Sequence, residues 1–323
     1  MSSKVNKILV TGCAGFIGFH LCIKLIKRKY DVYGLDNLND YYDSNLKKDR
    51  LKILKKNNLK FFKYDLLNKN QIDYILSKKK IDIVIHLAAQ AGVRYSIKNP
   101  KTYLDNNIQG FFNILDSSQK FKIRHFIYAS TSSVYGFQKK MPFVENLPTD
   151  KPLSFYAASK KCNEILAYSY STIHKLPTTG LRFFTVYGSY GRPDMSLFKF
   201  ANAILRNRKL DLYNYGNHSR DFTHIDDTTE YIIKILNKKS KKKVPYQLFN
   251  LARSKREKLK TFIKFIELEM GKKGKYKLFP LQKGDVKDTY ASIHKISNIT
   301  KYKPKVTLQN GIKDYINWFK NYY

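Results

Sequence analysis

Three residues in the middle of the chain could together move a proton at neutral pH. Thr131 offers a hydroxyl, Tyr156 offers a phenol, and Lys160 follows four residues after the tyrosine. A phenol is a weak base with a reference pKa of about 10, so its use near pH 7 requires about 4 kcal/mol of phenolate stabilisation. On a helix, Lys160 would lie one turn from Tyr156 and could supply it. The alternative is that both side chains only decorate a helix.

A glycine-rich turn near the N-terminus predicts a dinucleotide site. Gly12, Gly15 and Gly18 follow an apolar strand and open a stretch of helical periodicity. Backbone N–H groups in such a turn, together with the helix dipole, can bind a pyrophosphate. The GxxGxxG spacing alone is a weak signal, because glycine turns between strands and helices are common. Phe16 and Ile17, inside the turn, belong to the same predicted site.

An acidic residue after the second predicted strand strengthens this interpretation. Asp36 is placed where a carboxylate accepts a ribose hydroxyl and repels a 2′-phosphate, which favours NAD over NADP; alternatively it caps the turn with Asn37. Asp65 could contact the adenine or cap the turn before Leu66. Small residues end the fourth strand and leave room for the cofactor. The predicted cofactor site therefore also includes Asn37, Leu66, Leu87, Ala88 and Ala89.

The elements that must position these residues alternate in type along the first half of the chain. Short β-branched or aromatic runs alternate with amphipathic stretches up to residue 188, which predicts an α/β fold with a doubly wound parallel (Rossmann) sheet. The predicted strands span 7–10, 31–35, 60–64, 82–87, 125–130 and 179–184, and two long helices span 102–121 and 155–174. We expect residues 1–188 to form a dinucleotide-binding domain.

After residue 188 the alternation loosens, which predicts a smaller mixed α/β lobe at 189–323, interleaved with the first domain in space. Helices are expected at 195–207, 226–237, 259–270 and 308–319, and strands at 210–213 and 246–251. A lobe of this kind would close over the carboxyl edge of the sheet, where ligands of doubly wound folds bind.

Charge and cysteine content limit the class of protein. The 323 residues carry 61 Lys and Arg against 25 Asp and Glu, a formal charge of +36. Such a charge attracts nucleic acid, anionic membranes or phosphorylated metabolites. However, the abundance of residues with A/T-rich codons makes genomic base composition the simpler explanation, and we expect no nucleic-acid partner. The three cysteines have no metal-ligand spacing. With no signal-peptide pattern and no apolar stretch long enough to cross a bilayer, a cytoplasmic protein is expected.

Several longer stretches make the chain similar to a known family. Together with the glycine turn, Asp36 and the Tyr156/Lys160 pair, the segments at 35–43, 91–96, 182–188, 191–195 and 220–223 resemble the extended short-chain dehydrogenase/reductases, most closely the UDP-glucuronate 4-epimerases among the nucleotide-sugar 4-epimerases. The resemblance implies tightly held NAD and a transient 4-keto sugar. In this scheme Tyr156 takes the proton of the sugar 4-hydroxyl, Lys160 holds the nicotinamide ribose and Thr131 bonds the reacting oxygen.

The resemblance also implies the substrate contacts. Arg220 would bind the diphosphate of a UDP-sugar, and Ser132, Ser133, Thr185 and Arg192 would hold the sugar carboxylate. The predicted substrate-binding residues also include Arg94 and Asp285. Alternatively, Arg220 is an exposed lobe residue, Thr185 a buried filler and Arg192 part of a surface ion pair. In the two positions after the Thr, the family's dehydratases carry Asp-Glu and its decarboxylases carry Ser-Glu. Here these positions are Ser132 and Ser133, which are neither acids nor bases at neutral pH, and this favours plain epimerisation.

Three further expectations follow from the resemblance. It implies a homodimer formed through the helices at 102–121 and 155–174. The usual Gly-Pro-Trp-Gly-Arg reads Gly-Ser-Tyr-Gly-Arg at 188–192, which predicts a looser loop. Two rival functions stay open: a 4-epimerase of UDP-glucose or UDP-N-acetylglucosamine, and an NAD-sensing regulator that binds nucleic acid through its lysines.

Overall fold

A seven-stranded parallel sheet forms the centre of the computed structural model, which describes residues 6–138, 140–281 and 288–323. The strands are β1 (Lys7–Thr11), β2 (Asp31–Leu35), β3 (Lys60–Phe62), β4 (Ile83–His86), β5 (His125–Thr131), β6 (Thr178–Phe183), β7 (Thr185–Tyr187), β8 (Lys209–Leu212), β9 (Ser219–His224), β10 (Tyr246–Leu251), β11 (Arg256–Lys258) and β12 (Lys275–Leu278). The helices are α1 (Phe16–Lys27), α2 (Ser44–Lys56), α3 (Lys69–Lys78), α4 (Val93–Lys98), α5 (Pro100–Tyr103), α6 (Gly110–Lys120), α7 (Phe155–His174), α8 (Ser196–Leu205), α9 (Ile225–Ile235), α10 (Leu259–Met270), α11 (His294–Thr300) and α12 (Leu308–Tyr322).

The sheet has the order β10-β6-β5-β4-β1-β2-β3, and every pair in it is parallel. Side chains of β1 alternate between two hydrophobic cores, because successive residues of a strand point to opposite faces. Ile8 and Val10 pack with helices α1 and α9, whereas Leu9 packs with α3, α6 and α7. Both faces are therefore covered, which explains why the strands read as continuous apolar runs. The predicted doubly wound sheet is confirmed.

All six predicted strands are present, with ends that differ from the predicted ends by at most two residues. The sheet gains a seventh strand, β10, which pairs with β6. Its position at 246–251 was predicted, although it was expected among the elements of the lobe. The division of the chain at residue 188 therefore stays a proposal.

The helix expected at 102–121 is not one regular helix. It consists of α5, a π-helical segment at Leu104–Gln109, and α6. By contrast, α7 and α10 have the predicted bounds. Sequence periodicity cannot resolve a single wide turn of this kind, because the apolar face continues across it.

A second core holds the lobe together over the carboxyl edge of the sheet. Residues of α8, α10 and α12 pack with β7, β8 and β9 around Phe222, whose ring stacks on Phe262 at 4.3 Å between centroids. The small sheets are β11-β9-β7 and β12-β8. In the described part of the chain, no helix is both long enough and apolar enough to cross a membrane.

Candidate active site

A cleft of about 930 Å³ lies at the carboxyl ends of the central strands, between the sheet and the lobe. It opens where the strand order reverses, between β1 and β4, which is the usual ligand position in such sheets. The cleft brings together nearly every residue singled out from the sequence: Gly12, Gly15, Phe16, Ile17, Gly18, Asp36, Asn37, Leu66, Leu87, Ala88, Ala89, Arg94, Thr131, Ser132, Ser133, Tyr156, Lys160, Thr185, Arg192 and Arg220. Asp65 does not line it, and Asp285 lies outside the described residues.

The glycine turn is built so that backbone can approach backbone. Gly12 has a φ of 71°, and a Cβ there would lie 2.8 Å from the backbone nitrogen of Ala88. A Cβ on Gly18 would lie 2.1 Å from the carbonyl oxygen of Gly12. Helix α1 then begins at Phe16 with no side-chain cap and no acidic residue in its first turn. Its first N–H groups are thus available to an anionic ligand at the cleft.

Asp36 caps the turn and also lines the cleft, while its bond to a ribose hydroxyl stays a prediction. It lines the cleft, while its carboxylate accepts hydrogen bonds from the backbone N–H of Ala14 at 3.0 Å and of Leu38 at 2.9 Å. Burial raises the pKa of this carboxyl above its usual value. A carboxylate has lone pairs beyond these two bonds, so it can still accept a bond from a ribose hydroxyl.

Asp65 lies behind the cleft and contacts it through Asn37. Its carboxylate accepts from the amide of Asn37 at 2.9 Å and from the backbone N–H of Leu67 at 2.9 Å, so it caps the turn and orients Asn37. A direct contact between Asp65 and the adenine stays a prediction.

The residues that the sequence predicts to transfer the proton meet at the start of α7. Ser154 caps this helix by accepting from the N–H of Ala157 at 3.1 Å, which sets Tyr156 at the mouth of the cleft beside Thr131, the last residue of β5. Burial raises the pKa of Tyr156, while a hydrogen bond with Thr131 and the charge of Arg192 lower it, and the net pKa is above the usual value. The phenol is therefore not activated by the protein alone.

The ammonium group of Lys160 is the most informative polar atom of the site. The side chain is 1% exposed, and its Nζ has no hydrogen-bond partner among the described residues. Burial lowers its pKa to about 7, although the carboxylate of Glu164 raises it. A buried amine without acceptors costs free energy until something supplies them. The hydroxyls of a nucleotide ribose are such acceptors, so the residues present fit a dinucleotide.

Hydroxyl groups line the part of the cleft next to Thr131. Thr131 begins a short 3₁₀ turn at 132–135, and its Oγ1 accepts from the N–H of Ser133 at 3.2 Å. Thr185 starts β7 and is half-buried. Arg220 lies on β9, where its Nη1 donates to the carbonyl of Ser219 at 3.0 Å and its side chain reaches the cleft.

Arg192 lies in the cleft as half of an ion pair. Its Nε and Nη2 donate to the two carboxylate oxygens of Asp194 at 2.9 Å and 2.5 Å. Burial opposes ionisation of Asp194, but the hydrogen bonds and charge of Arg192 outweigh it and the pKa of the carboxyl is lowered. Tyr41 donates to the same carboxylate at 3.3 Å. The predicted alternative, an ion pair, is thus present, yet it faces the cleft rather than open solvent.

Tyr41, Asp194 and Lys47 are cleft residues that the sequence analysis did not single out. Tyr41 and Asp194 are 153 residues apart, so no local pattern connects them. Lys47 donates to the backbone oxygen of Asn39 at 2.6 Å, one turn into α2. For Tyr41 and Asp194, the available signal was their position within segments that carry the family resemblance, whereas Lys47 lies outside those segments.

The loop at 188–192 is held by tertiary contacts. Tyr190 adopts a left-handed conformation with φ 53°, which is unfavourable for an aromatic residue, and its ring packs on Phe19 and Trp318. The buried Arg50 donates from Nη2 to the carbonyl of Tyr190 at 2.7 Å and from Nη1 to the carbonyl of Ala14 at 2.9 Å. The expectation of a looser loop considered only its own sequence and missed these partners.

The π-helical segment also fixes the site. Asn107, inside it, donates to the carbonyl of Gln90 at 2.9 Å and accepts from its N–H at 2.7 Å. The same amide donates to Ser159 Oγ at 3.0 Å, and Asn163 donates to the Asn107 carbonyl at 2.6 Å. The wide turn thereby ties the segment after β4 to α7, on which Tyr156 and Lys160 lie.

The sheet, the glycine turn and the paired phenol and lysine define a dinucleotide-dependent enzyme of the short-chain dehydrogenase/reductase class. Residues 8–252 match the family model described as the NAD dependent epimerase/dehydratase family. The chain belongs to that family, and NAD is the family's cofactor. The resemblance noted from the sequence is confirmed.

Individual relatives cover the whole chain. A UDP-glucuronate 4-epimerase of Thermodesulfobacterium geofontis is 41% identical, over 97% of this chain and 95% of that protein. The UDP-glucuronic acid 4-epimerase of Bacillus cereus, solved with UDP-glucuronic acid and NAD, is 35% identical with a TM-score of 0.91 over 98% of this chain and 100% of that one. The UDP-glucose 4-epimerase of Thermotoga maritima, solved with UDP-glucose, is 29% identical with a TM-score of 0.86 over 98% and 99%.

Proposed function

We propose that the protein interconverts UDP-glucuronate and UDP-galacturonate by NAD-dependent epimerisation at C4. The observation that carries the proposal is the pairing, in one cleft, of the Tyr156 phenol beside Thr131 with the buried, unpartnered amine of Lys160. Relatives at 41% and 35% identity over nearly the whole chain bear the same activity in their names.

The chain's own residues would divide the work as follows. Lys160 donates to the nicotinamide ribose, and Thr131 bonds the reacting oxygen and lowers the pKa of the neighbouring phenol. Bound NAD would supply a reversible hydride acceptor at C4, so that either face of the ketone could be reduced, and a positive charge that favours the phenolate. Tyr156 takes the proton of the 4-hydroxyl as the ketone forms and gives it back on reduction.

The absence of an acid beside Thr131 bears on which reaction follows. Ser132 and Ser133 stand where eliminating relatives carry carboxylic acids, and a serine hydroxyl neither protonates a leaving group nor removes a carbon-bound proton at neutral pH. The two serines and Thr185 would instead hold the sugar carboxylate. Small neutral donors suit an anion that must turn over with its ring during the reaction.

Arg192 would contribute charge to the same carboxylate. Its Nε and Nη2 already donate to Asp194, which leaves Nη1 for a ligand. Because the guanidinium is largely neutralised by Asp194, it would attract the carboxylate without trapping it in one orientation. Arg220 would bind the diphosphate from the lobe side.

A 4-epimerase of neutral UDP-hexoses is the second candidate, favoured by the 0.86 TM-score to a UDP-glucose 4-epimerase. The two candidates differ in the sugar pocket and share the catalytic groups. A nucleic-acid-binding regulator is the remoter candidate. It predicts that Tyr156 is dispensable.

The deciding experiment incubates the purified protein, without added cofactor, with UDP-glucuronate, UDP-glucose or UDP-N-acetylglucosamine and identifies the sugar products. UDP-galacturonate formed fastest supports the proposal, whereas faster turnover of a neutral sugar contradicts it. Tyr156→Phe should lose the activity while NAD stays bound. Unchanged activity in that variant would refute the proposed chemistry.

A matched pair of substitutions tests the carboxylate pocket. Thr185→Val should reduce turnover of UDP-glucuronate more than that of UDP-glucose. Thr223→Val is the control, since the Thr223 hydroxyl is buried without a partner among the described residues and does not line the cleft. Equal losses on both substrates in Thr185→Val would refute the role given to Thr185.

We also propose a homodimer through the segment at 100–120 and α7. Large apolar side chains are exposed on both, with Leu104 at 47%, Phe112 at 37% and Ile165 at 58% exposure. Exposed apolar side chains on adjacent helices favour a helix-to-helix interface. Light scattering of the wild type and of Ile165→Glu would measure the mass, and a monomeric wild type would refute the dimer. A cytoplasmic location is proposed with it, since all three cysteines are free.

A further inference from the structure

The end of the sheet opposite the cleft is unusually basic. It consists of the turns that precede six of the seven strands, at 27–31, 55–60, 78–82, 120–125, 174–178 and 236–246, and we call it the basic end. Each of the first four turns carries three Lys or Arg, the fifth carries one and the sixth carries five. These turns thus contain eighteen Lys and Arg residues and two Asp residues, whereas the whole chain contains 61 Lys and Arg against 25 Asp and Glu.

Hydrogen bonds between neighbouring turns show that this surface is continuous. The N–H of Arg124 donates to the carbonyl of Asp82 at 2.9 Å, and its guanidinium donates to Asn6 and Asn237 at 2.9 Å and 3.4 Å. The N–H of Thr178 donates to the carbonyl of Pro245 at 3.0 Å. With seven strands at about 4.8 Å spacing, the basic end is about 30 Å wide.

Most of these charges are not neutralised within the described residues. Three of the eighteen cations pair with a carboxylate: Arg28 with Glu230 at 2.6 Å, Lys60 with Asp31 at 2.6 Å, and Lys120 with Asp73 at 2.8 Å. The lysines at 238, 239, 241, 242 and 243 are all exposed. The surface therefore carries a field of one sign, which an oppositely charged partner would reduce.

Base composition does not explain the choice of lysine here. Lys29, Lys80, Lys122 and Lys175, each just before a strand, have φ between 51° and 62°. This left-handed region favours Gly, and after Gly it favours Asn. Asn has A/T-rich codons just as Lys does, so base composition alone would equally allow Asn, which adopts this conformation more readily than Lys. Asn58, with a φ of 65°, is an example.

Favourable interaction with helix dipoles does not explain the pattern either. Basic residues stabilise helix C-termini, which lie at this end of the sheet, but the same effect favours acidic residues in first turns. Five of the helices that cover the sheet, α1, α2, α3, α6 and α7, have no acidic residue in the first turn, whereas α9 has Asp226 and Asp227 there. The bias is therefore towards positive charge at one end rather than towards paired helix ends.

We propose that the basic end docks the protein on an anionic phospholipid bilayer. Lysine acts as a point charge suited to a diffuse anionic surface, and sixteen of the eighteen cations are lysines. Single-stranded nucleic acid would need aromatic stacking platforms, whereas Tyr30 and Phe121 are the aromatic residues of these turns outside the strands, and both are half-buried. Docking by this end leaves the cleft, at the far end of every central strand, open to soluble nucleotides.

The test is co-sedimentation of the purified protein with vesicles of phosphatidylcholine, with or without phosphatidylglycerol. The basic-end variant replaces Lys238, Lys239, Lys241, Lys242 and Lys243 by Gln. The control variant replaces five exposed lysines of the lobe by Gln: Lys260, Lys264, Lys272, Lys273 and Lys275. Both variants should keep wild-type melting temperature and basal activity, because these residues lie outside the cleft.

The wild type should bind the phosphatidylglycerol vesicles at low salt, release them at high salt, and ignore pure phosphatidylcholine. A surface lysine contributes roughly five-fold in affinity for anionic vesicles, so the basic-end variant should bind them at least about ten-fold more weakly than the wild type does. The affinity of the control variant should stay close to that of the wild type. Three results would overturn the proposal: no binding to anionic vesicles, equal weakening in both variants, or displacement from vesicles by a lower concentration of an oligonucleotide than of free glycerol phosphate. Displacement by neither solute supports the bilayer as the partner.

Discussion

Replacing Lys160 by Met should change how the stability of the nucleotide-free protein depends on pH. Burial lowers the pKa of Lys160 to about 7 in the folded protein, against an ordinary value of 10.5. Between these two pH values the unfolded chain keeps the proton that the folded protein has lost. The free energy of unfolding therefore rises with pH, by up to about 1.4 kcal/mol per pH unit, and is lowest below pH 7, where the buried amine must be charged.

Between pH 7 and 9, the difference between wild type and Lys160→Met isolates this contribution, because the other titrating groups are common to both proteins. One of them is Asp221, whose pKa burial raises to about 7 and whose ionisation slightly lowers the free energy of unfolding as the pH rises. The buried Cys13 and Cys22 have raised pKa values, so they lower the free energy of unfolding as the pH approaches 9, where their thiols ionise in the unfolded chain, and the tyrosines do so only as the pH approaches about 10. His20 and His125, with pKa values of about 4, have completed their effect below pH 7. Over these two units Lys160 should contribute about 2 kcal/mol.

Urea unfolding at pH 7, 8 and 9 would measure the slope in three proteins: wild type, Lys160→Met and Lys161→Met. Lys161 is the neighbouring lysine, bonded to Thr149 at 2.6 Å, and no carboxylate or cofactor contact is proposed for it. The wild type and Lys161→Met should gain stability with pH, and Lys160→Met should not. Equal slopes in wild type and Lys160→Met would refute the claim that the buried amine titrates near neutrality. Saturating NAD should flatten the wild-type slope, since its ribose supplies the missing acceptors.

Three further predictions concern the cleft. Tyr156→Phe should lower kcat by about 10²- to 10⁴-fold, the usual contribution of a positioned base, with bound NAD measured after denaturation unchanged; a smaller loss contradicts its role as the base. Gly18→Ala should release NAD from a chain whose circular dichroism stays native, because a Cβ would lie 2.1 Å from the Gly12 carbonyl; full NAD content would contradict the tight turn. Asp194→Asn should move the acidic limb of the pH profile of kcat to lower pH. The reason is that Arg192, without its carboxylate partner, should lower the pKa of Tyr156 more strongly. An acidic limb that stays in place or moves to higher pH would contradict this.

The sequence predicted those parts of the site that are local in the chain. The glycine turn and the Tyr156/Lys160 pair each fit within one strand–turn–helix or one helical turn, where spacing determines geometry. Short apolar runs predicted the central sheet for the same reason, because β4 and β6 are buried along their whole length and β1, β2 and β5 along most of it.

What the sequence did not predict depends on contacts between distant segments. The Tyr41–Asp194 bond joins residues 153 apart, and the left-handed Tyr190 is held by an arginine from α2 and rings from α1 and α12. The π-helical turn at 104–109 is fixed by Asn107 bonding to the segment after β4 and to α7. Each of these depends on the assembled fold, and none leaves a periodic trace in the local sequence.

Arg50 mechanically couples the two halves of the cleft. Its guanidinium donates to two carbonyl groups. One belongs to Ala14, in the turn that would bind the pyrophosphate, and the other belongs to Tyr190, two residues before Arg192, which would contact the sugar. A shift of either loop would lengthen its hydrogen bond to the buried Arg50 or would have to move Arg50 with it. A nucleotide bound at the glycine turn would thus fix the position of the loop that carries Arg192 before the sugar binds.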